Sequence, residues 1–583
     1  MLLNIHISAA FLIGQVLLPV PADGKGFLIG HHPEGVARRD RKTLDGNIQT
    51  AVGEALGCGG QLDESHRAAI EATLKPIWRT LPKISGGSKG NARIERRFLR
   101  YLVHRYFSRT ASLLVRGFEP SRPTNASAWA GEDVLSQRVP AYVESVLESQ
   151  HVQVNGFDLA DAVLMVATVE QLIFDSESAI LEEVYQNQRK PMVRSVSEAG
   201  LGQVLVEFMV RWLMAEDAEG IRVLLGNQSM IPEIIPHWGE IVGFLHGEAK
   251  ALQFQRLQKA RSLTRPGHNA LAHRFSFEDA HQVVGSVRSS FASFWESECI
   301  TMKASLIEMD PLNTGRVPLS KFHGTGLDAE WRFGESEAYL RDLGALDETS
   351  TWRGKQVIIA NYIQGASNCI VGAEHYSVCC ANECESVLAE IEATIGAPLG
   401  PVSEILSLVG NMTSQTTVDH DDPPKLAGAL TDQLEQIAVT HGGKVPLHGR
   451  LFGQWLHYAF PHECAFPHKA GNAVTSTPGQ YGEDSIASRK EMKEHAAQGS
   501  FDAFNETMDK QELEWMSQWS PEEELIADYS ELQTPWLTGR VAALGGMVSF
   551  LVLGVGLLRV AKATRGSMAL DSDMHSDCKT HFV

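Results

Sequence analysis

Residues 541–558, VAALGGMVSFLVLGVGLL, run for eighteen positions without a charge and are followed by Arg559, Lys562 and Arg565. As a helix this stretch rises about 27 Å, close to the roughly 30 Å of a bilayer's hydrocarbon core. Val560 and Ala561 extend it if Arg559 reaches back to the interface. The sequence therefore predicts a transmembrane helix over 541–561, and everything before it must lie on one side of a membrane. Only Arg540 stands close on the other flank, so the positive-inside rule places residues 562–583 in the cytosol.

The other end of the chain points the same way. Residues 1–22, MLLNIHISAAFLIGQVLLPVPA, are apolar and end in Val20-Pro21-Ala22, the small-residue pattern of a signal-peptidase site. They lack the usual basic n-region, which leaves an uncleaved anchor or an organelle-directed leader as alternatives. With a cleaved leader the chain is a single-pass type I protein of the secretory pathway or cell surface, its body lumenal or extracellular. Asn125, Asn227, Asn411 and Asn505 then become candidate glycosylation sites, each in an Asn-x-Ser/Thr triplet. Seven of the eight cysteines precede the membrane segment. Oxidising conditions favour disulfides among Cys299, Cys369, Cys379, Cys380, Cys384 and Cys464 over a metal site or reduced core thiols. Their connectivity is not readable from spacing.

Helical periodicity dominates the body, which is too long for one core. Helices are expected over 44–56, 65–80, 134–150, 159–185, 202–214, 238–263, 276–307 and 488–497. The fold class is mainly α and multi-domain: an N-terminal helical segment at 23–84, a helical bundle at 91–263, a Cys-containing domain at 275–395 and a linker at 396–425. A further unit at 426–470 and a polar juxtamembrane segment at 471–539 complete the body. Ser85 to Gly90 is linker-like in composition. Six arginines between Arg93 and Arg109 give one helix a basic face, expected to cover acidic neighbours such as Glu170, Asp175 and Glu177. The net charge of −20 argues against a nucleic-acid partner, since neutralising phosphates needs an excess of cations.

The stretch from Glu308 to Phe322 fits a calcium-loop template at its shape-defining positions: Asp310 is first, Gly315 sixth and Val317 eighth. It misses most ligand positions, because Leu312 is third and Lys321 stands where a bidentate glutamate closes the site. This is a degenerate EF-hand-like helix-loop-helix unit. Gly315-Arg-Val-Pro-Leu319 recurs as Gly443-Lys-Val-Pro-Leu447, and residues 354–363 form a looser third version. His441, His448, His457, His462, Cys464 and His468 crowd the segment after the second copy. Their spacing makes no helical metal face, and Tyr458, Phe460 and Phe466 among them suggest a packed aromatic loop. Asp419-His-Asp-Asp422 reads as a solvated loop.

ARIERRFLRYLVHRYFSRTASLLVRGFEP, VATVEQLIFDSES, EMDPLNTGRVPLS, NYIQGASNC with YSVCCANECE, and HGGKVPLHGRLFGQWLHYAFPHECAFPH together resemble the recurring blocks of a large family of membrane-anchored proteins of dinoflagellate algae. The resemblance spans about residues 90–470. It implies a membrane-anchored, mostly helical architecture and carries no activity or site residues with it. No catalytic motif is present: no Gly-x-Ser-x-Gly, His-Glu-x-x-His, phosphate-binding loop or kinase signature. The expected function is partner or ligand binding by a non-enzymatic lumenal body with a protein partner and no cofactor. The alternatives are a lumenal enzyme with an unrecognised site and a calcium-responsive sensor.

Overall fold

The computed structural model describes residues 64–84, 92–118, 156–214, 217–235, 237–262, 274–328, 332–349, 354–371, 375–412, 424, 426, 428–468, 473 and 476–497. The expected leader at 1–22, the expected membrane segment at 541–561 and tail at 562–583, Asn125, Asn505 and the expected helices at 44–56 and 134–150 lie outside these residues. Among the described residues no helix is long and apolar enough to cross a membrane. They are mainly helical, with seventeen α-helices and ten short strands.

The first part is a bundle. Helix α1 (Glu64–Thr80) and α2 (Arg96–Ala111) lead to β1 (Leu113–Val115), followed by α3 (Leu159–Asn187), β2 (Val196–Ser197), α4 (Glu198–Met214), α5 (Ala218–Gly226), α6 (Ile231–Ile234) and α7 (Trp238–Ser262). Strand β3 (Arg274–Phe275) pairs with β2 and feeds α8 (Phe277–Glu308). Two of these helices start at capping boxes. Asp158 and Asp161 exchange backbone hydrogen bonds ahead of α3, and Ser276 and Asp279 do so ahead of α8. The apolar faces of α1 to α4 meet in one core: Ile70, Leu74, Leu99, Leu102, Val166, Val204 and Met209 are all fully buried. Ile70 to Leu81 belong to this core across the Gly/Ser-rich stretch at 85–90, so α1 is an integral helix of the bundle.

Helix α8 is the beam that joins the parts. It has 32 residues, about 48 Å of helix. Its first half, Ala280 to Trp295, packs in the bundle, while Met302 and Leu306 belong to a second core. That second core is built from two helix-strand-helix units. In the first, α8 passes through β4 (Arg316–Pro318) into α9 (Leu319–Asp328). In the second, α10 (Glu337–Asp342) leads through β5 (Leu346–Asp347) and β6 (Gln356–Ile358) into α11 (Ile359–Gln364). Strands β4 and β6 pair antiparallel with Val317 opposite Val357, and β5 adds to the other edge of β6.

A second pair repeats this plan. After β7 (Ile370–Val371) and β8 (Tyr376–Val378), α12 (Cys384–Ile395) passes through β9 (Leu399–Gly400) into α13 (Val402–Val409). Then α14 (Ala429–Thr440) passes through β10 (Val445–Pro446) into α15 (Arg450–Ala459). Strands β9 and β10 are antiparallel, and a third core of Ile391, Ile405, Val409, Leu434, Phe452 and Trp455 fills the space beneath. The two copies of Gly-Arg/Lys-Val-Pro-Leu thus sit at matching places, each glycine left-handed just ahead of its strand. Residues 396–425, expected as a linker, begin instead with β9 and α13. Val402, Ile405, Leu406 and Val409 give α13 an apolar stripe at helical spacing that the Gly- and Pro-rich surroundings conceal. Short α16 (Pro478–Tyr481) and α17 (Arg489–Ala497) end the described part, α17 lying against α9.

Candidate functional site

Asp310 opens the loop between α8 and β4, and its carboxylate turns inward. Its Oδ1 accepts from the Thr314 hydroxyl at 3.0 Å, and its Oδ2 accepts from the Gly315 amide at 2.6 Å. Gly315 has φ +72°, and a Cβ there would lie 2.5 Å from the Pro461 carbonyl oxygen, so both conformation and close approach require glycine. Leu312 at the third loop position is 45% exposed and brings no oxygen.

The histidine-rich segment closes over this loop. His462 Nε2 lies 3.1 Å from Asp310 Oδ2, and both side chains are almost fully buried. His457 Nε2 lies 3.2 Å from Arg316 Nη1 and its Nδ1 lies 2.7 Å from the Cys464 carbonyl. A guanidinium only donates, so His457 accepts at Nε2 and carries its proton on Nδ1. Burial, with the Arg316 charge beside it, pushes the His457 imidazole down to about 3, in keeping with a neutral ring. Arg316 Nε also donates to Asp347 Oδ2 at 2.7 Å. Although burial resists ionisation of Asp347, the Arg316 charge and hydrogen bonds from Thr349 and Arg316 hold its carboxyl below the usual range. Asn361 completes the seal, donating to the Gly344 and Phe466 carbonyls and accepting from the Phe466 amide. His468 meets the Gly344 carbonyl at 2.6 Å. The packed aromatic loop expected around Phe466 thus becomes a plug seated between the two pairs of units.

The six candidate cysteines form three disulfides. Cys369–Cys379 closes the β7–β8 hairpin, Cys299–Cys380 ties that hairpin to α8, and Cys384–Cys464 ties the start of α12 to the end of the plug. The residues beside the last bridge are linked as well: Lys303 of α8 donates to Glu383 at 2.7 Å and approaches Glu463 at 3.5 Å. Asn227 and Asn411 are both exposed.

Of the arginines of the basic helix, Arg105 finds partners other than those expected. Arg105, 2% exposed, binds Glu385 at 2.5 Å and Glu392 at 2.8 Å on α12, and donates to the Tyr101 hydroxyl at 3.0 Å. Arg93 faces Asp158 at 3.7 Å. Of the three acids expected opposite, Glu170 accepts from the Tyr106 hydroxyl, Asp175 from Gln171, and Glu177 from Tyr376 and Arg288. His448 sits in the Arg105 cluster, 2.9 Å from the Thr80 hydroxyl and 3.1 Å from that of Tyr101. Burial and Arg105 push its imidazole down to about 3. Sequence reasoning missed this seam because Arg105 and Glu392 are 287 residues apart and each looks like an ordinary surface charge.

In these clusters the carboxylates, imidazoles and guanidinium groups are spent on one another. Among the described residues, no group of three or more His, Cys, Asp or Glu is arranged to hold a metal ion. The class defined by this geometry is a mainly helical, disulfide-tied protein whose polar clusters join its parts. No protein-family model, curated protein or solved structure matches the chain.

Proposed function

We propose that this chain is a single-pass type I membrane protein whose disulfide-tied helical body faces the lumen of the secretory pathway or the cell exterior and binds a protein partner. One observation carries the reading. Six cysteines spread over 299–464 pair completely into three disulfides, two of them closing loops of about 80 residues, a pattern favoured by an oxidising compartment. The uncharged run at 541–558 with its basic flank supplies the anchor and orientation.

The two pairs of helix-strand-helix units fit a degenerate EF-hand-like plan kept for architecture, because Asp310 serves its own loop and His462. The reading is tested on the expressed full chain. Endoglycosidase should increase gel mobility, a tag after Val583 should be cleaved by protease added outside intact vesicles, and non-reducing mapping should recover the three bridges. Unchanged mobility with a protected tag would refute the topology.

A further inference from the structure

Helix α17 is held on α9 by a pair of histidines. His323 Nδ1 lies 2.8 Å from His495 Nδ1, and the rings stack with centroids 5.0 Å apart. The other nitrogen of each ring is also engaged. His323 Nε2 lies 2.9 Å from the Glu335 backbone carbonyl, which only accepts, so its proton sits there and Nδ1 offers a lone pair. His495 Nε2 faces the Glu337 carboxylate at 3.3 Å, so protons on both of its nitrogens fit the site. The pair then shares one extra proton. A second has no place except His323 Nδ1, where it would break the bond and set two cations face to face in a site where His323 is fully buried.

The rest of the contact is close. Gly326 of α9 lets Met492 approach: a Cβ at Gly326 would lie 2.8 Å from the Met492 Cε and 2.3 Å from the Phe333 carbonyl oxygen. Ahead of α17, Ala487 donates its amide to the Gly334 carbonyl. Among the described residues, charged groups reach the pair's surroundings from α10 and α17. From α10, Glu337 is shared with Arg341 and Lys355, both at 2.5 Å. From α17, Glu491 accepts from the Glu337 amide, and Arg489 reaches the Leu327 carbonyl. The Glu335 carboxylate accepts from the Tyr362 hydroxyl, and burial pushes its carboxyl up. Burial also lowers the His323 imidazole, with the neighbouring His495 adding to the effect and the Glu335 carbonyl opposing it.

We propose that α17 is an acid-released latch, held on α9 by a histidine pair that accepts one shared proton and not two. The docked pair carries one extra proton, while the released pair takes up to two at the ordinary histidine value of about 6.5. Below that pH the released form binds more protons than the docked one, so acid weakens docking; above it the released form binds fewer, so docking weakens as pH rises. Docking is strongest near pH 6.5 and falls about eightfold by pH 5.0 on this proton count. The latch goes beyond the proposed function and stands whichever side of a membrane the body occupies. On the proposed topology it would make the docking of α17 sensitive to compartment acidity.

The test is hydrogen–deuterium exchange of the full chain at pH 6.5 and 5.0, expressed as protection factors so that intrinsic exchange rates cancel. Protection across 489–497 should fall about eightfold at pH 5.0, while α4 in the bundle holds. In His323→Gln the acid-dependent fall should vanish, since a lone histidine has no second proton to take up on release. The wild-type comparison decides the matter even if that variant folds poorly. Equal protection at both pH values, or the same fall in His323→Gln, would overturn the latch. So would one equivalent of zinc increasing protection at pH 6.5, which would make the two Nδ1 atoms metal ligands.

Discussion

Replacing Arg105 with methionine tests whether the seam between the bundle and the second pair of units is electrostatic. Its side chain bridges α2 to α12 through Glu385, 11% exposed, and Glu392, fully buried. Removing one partner of such a buried pair strands the other and typically costs about 3–5 kcal/mol. Glu392 is the group stranded: burial already pushes its carboxyl up, against the opposing Arg105 charge. Without Arg105 that rise grows, and the folded state holds a proton that the unfolded chain releases near pH 4.3. Between those two values the folded state binds more protons, so the variant's stability falls as pH rises and recovers as pH falls. Urea unfolding, followed by tryptophan fluorescence and far-UV circular dichroism together, should show a loss of about 3–5 kcal/mol at pH 7.5 and a smaller one at pH 5.5. Adding Glu392→Gln should restore at least about 1.5 kcal/mol, because it removes the stranded charge. A loss below about 1 kcal/mol, or one independent of both pH and Glu392, would mean that packing around the seam carries it.

Other perturbations separate the remaining ties. Serine at both Cys384 and Cys464 opens a loop with a sequence separation of 80, which loop entropy values at about 4.5 kcal/mol; an unchanged urea midpoint would refute that tie. Tyr376→Phe removes the hydroxyl that donates to Glu177 at 2.7 Å and accepts from Trp212 at 3.0 Å. The unfolding free energy should drop by about 1–3 kcal/mol, and a drop below about 0.5 kcal/mol would deny the hydroxyl that role. Calorimetry with calcium should give no heat of tight binding at the Asp310 loop. A micromolar site abolished by Asp310→Ala would overturn the structural reading of that loop and favour a calcium-responsive sensor.

The expected helices show which features were legible. The helical spacing of 159–185, 202–214, 238–263 and 276–307 anticipates α3, α4, α7 and α8 closely, because a 3.6-residue period records which face is buried, and the short charged helix expected at 488–497 is α17. Helix α13 was hidden because only eight residues carry its stripe, amid glycine and proline. The six disulfide cysteines were identifiable from their number and an expected oxidising compartment, but their pairing was not. Cys299 meets Cys380 and Cys384 meets Cys464 only after α8 and the plug have brought distant segments together. Likewise Asp310 was recognisable as a loop-opening residue, yet nothing local names His462 as its partner 152 residues away.

Sequence alone determined the helical character, the uncharged run with its basic flank, the cysteine set and the repeated Gly-Arg/Lys-Val-Pro-Leu element. Each is a local property of periodicity, hydropathy or spacing, and survives being read one window at a time. Tertiary structure alone decided what the charged and polar residues do. Arg105, Lys303, Asp310, Arg316, His323 and His457 resemble surface residues in isolation, and each acquires its role from a partner supplied by another element. Burial makes those pairings necessary, since a desolvated charge or donor must be matched, and only the folded chain determines which residue is near enough to match it.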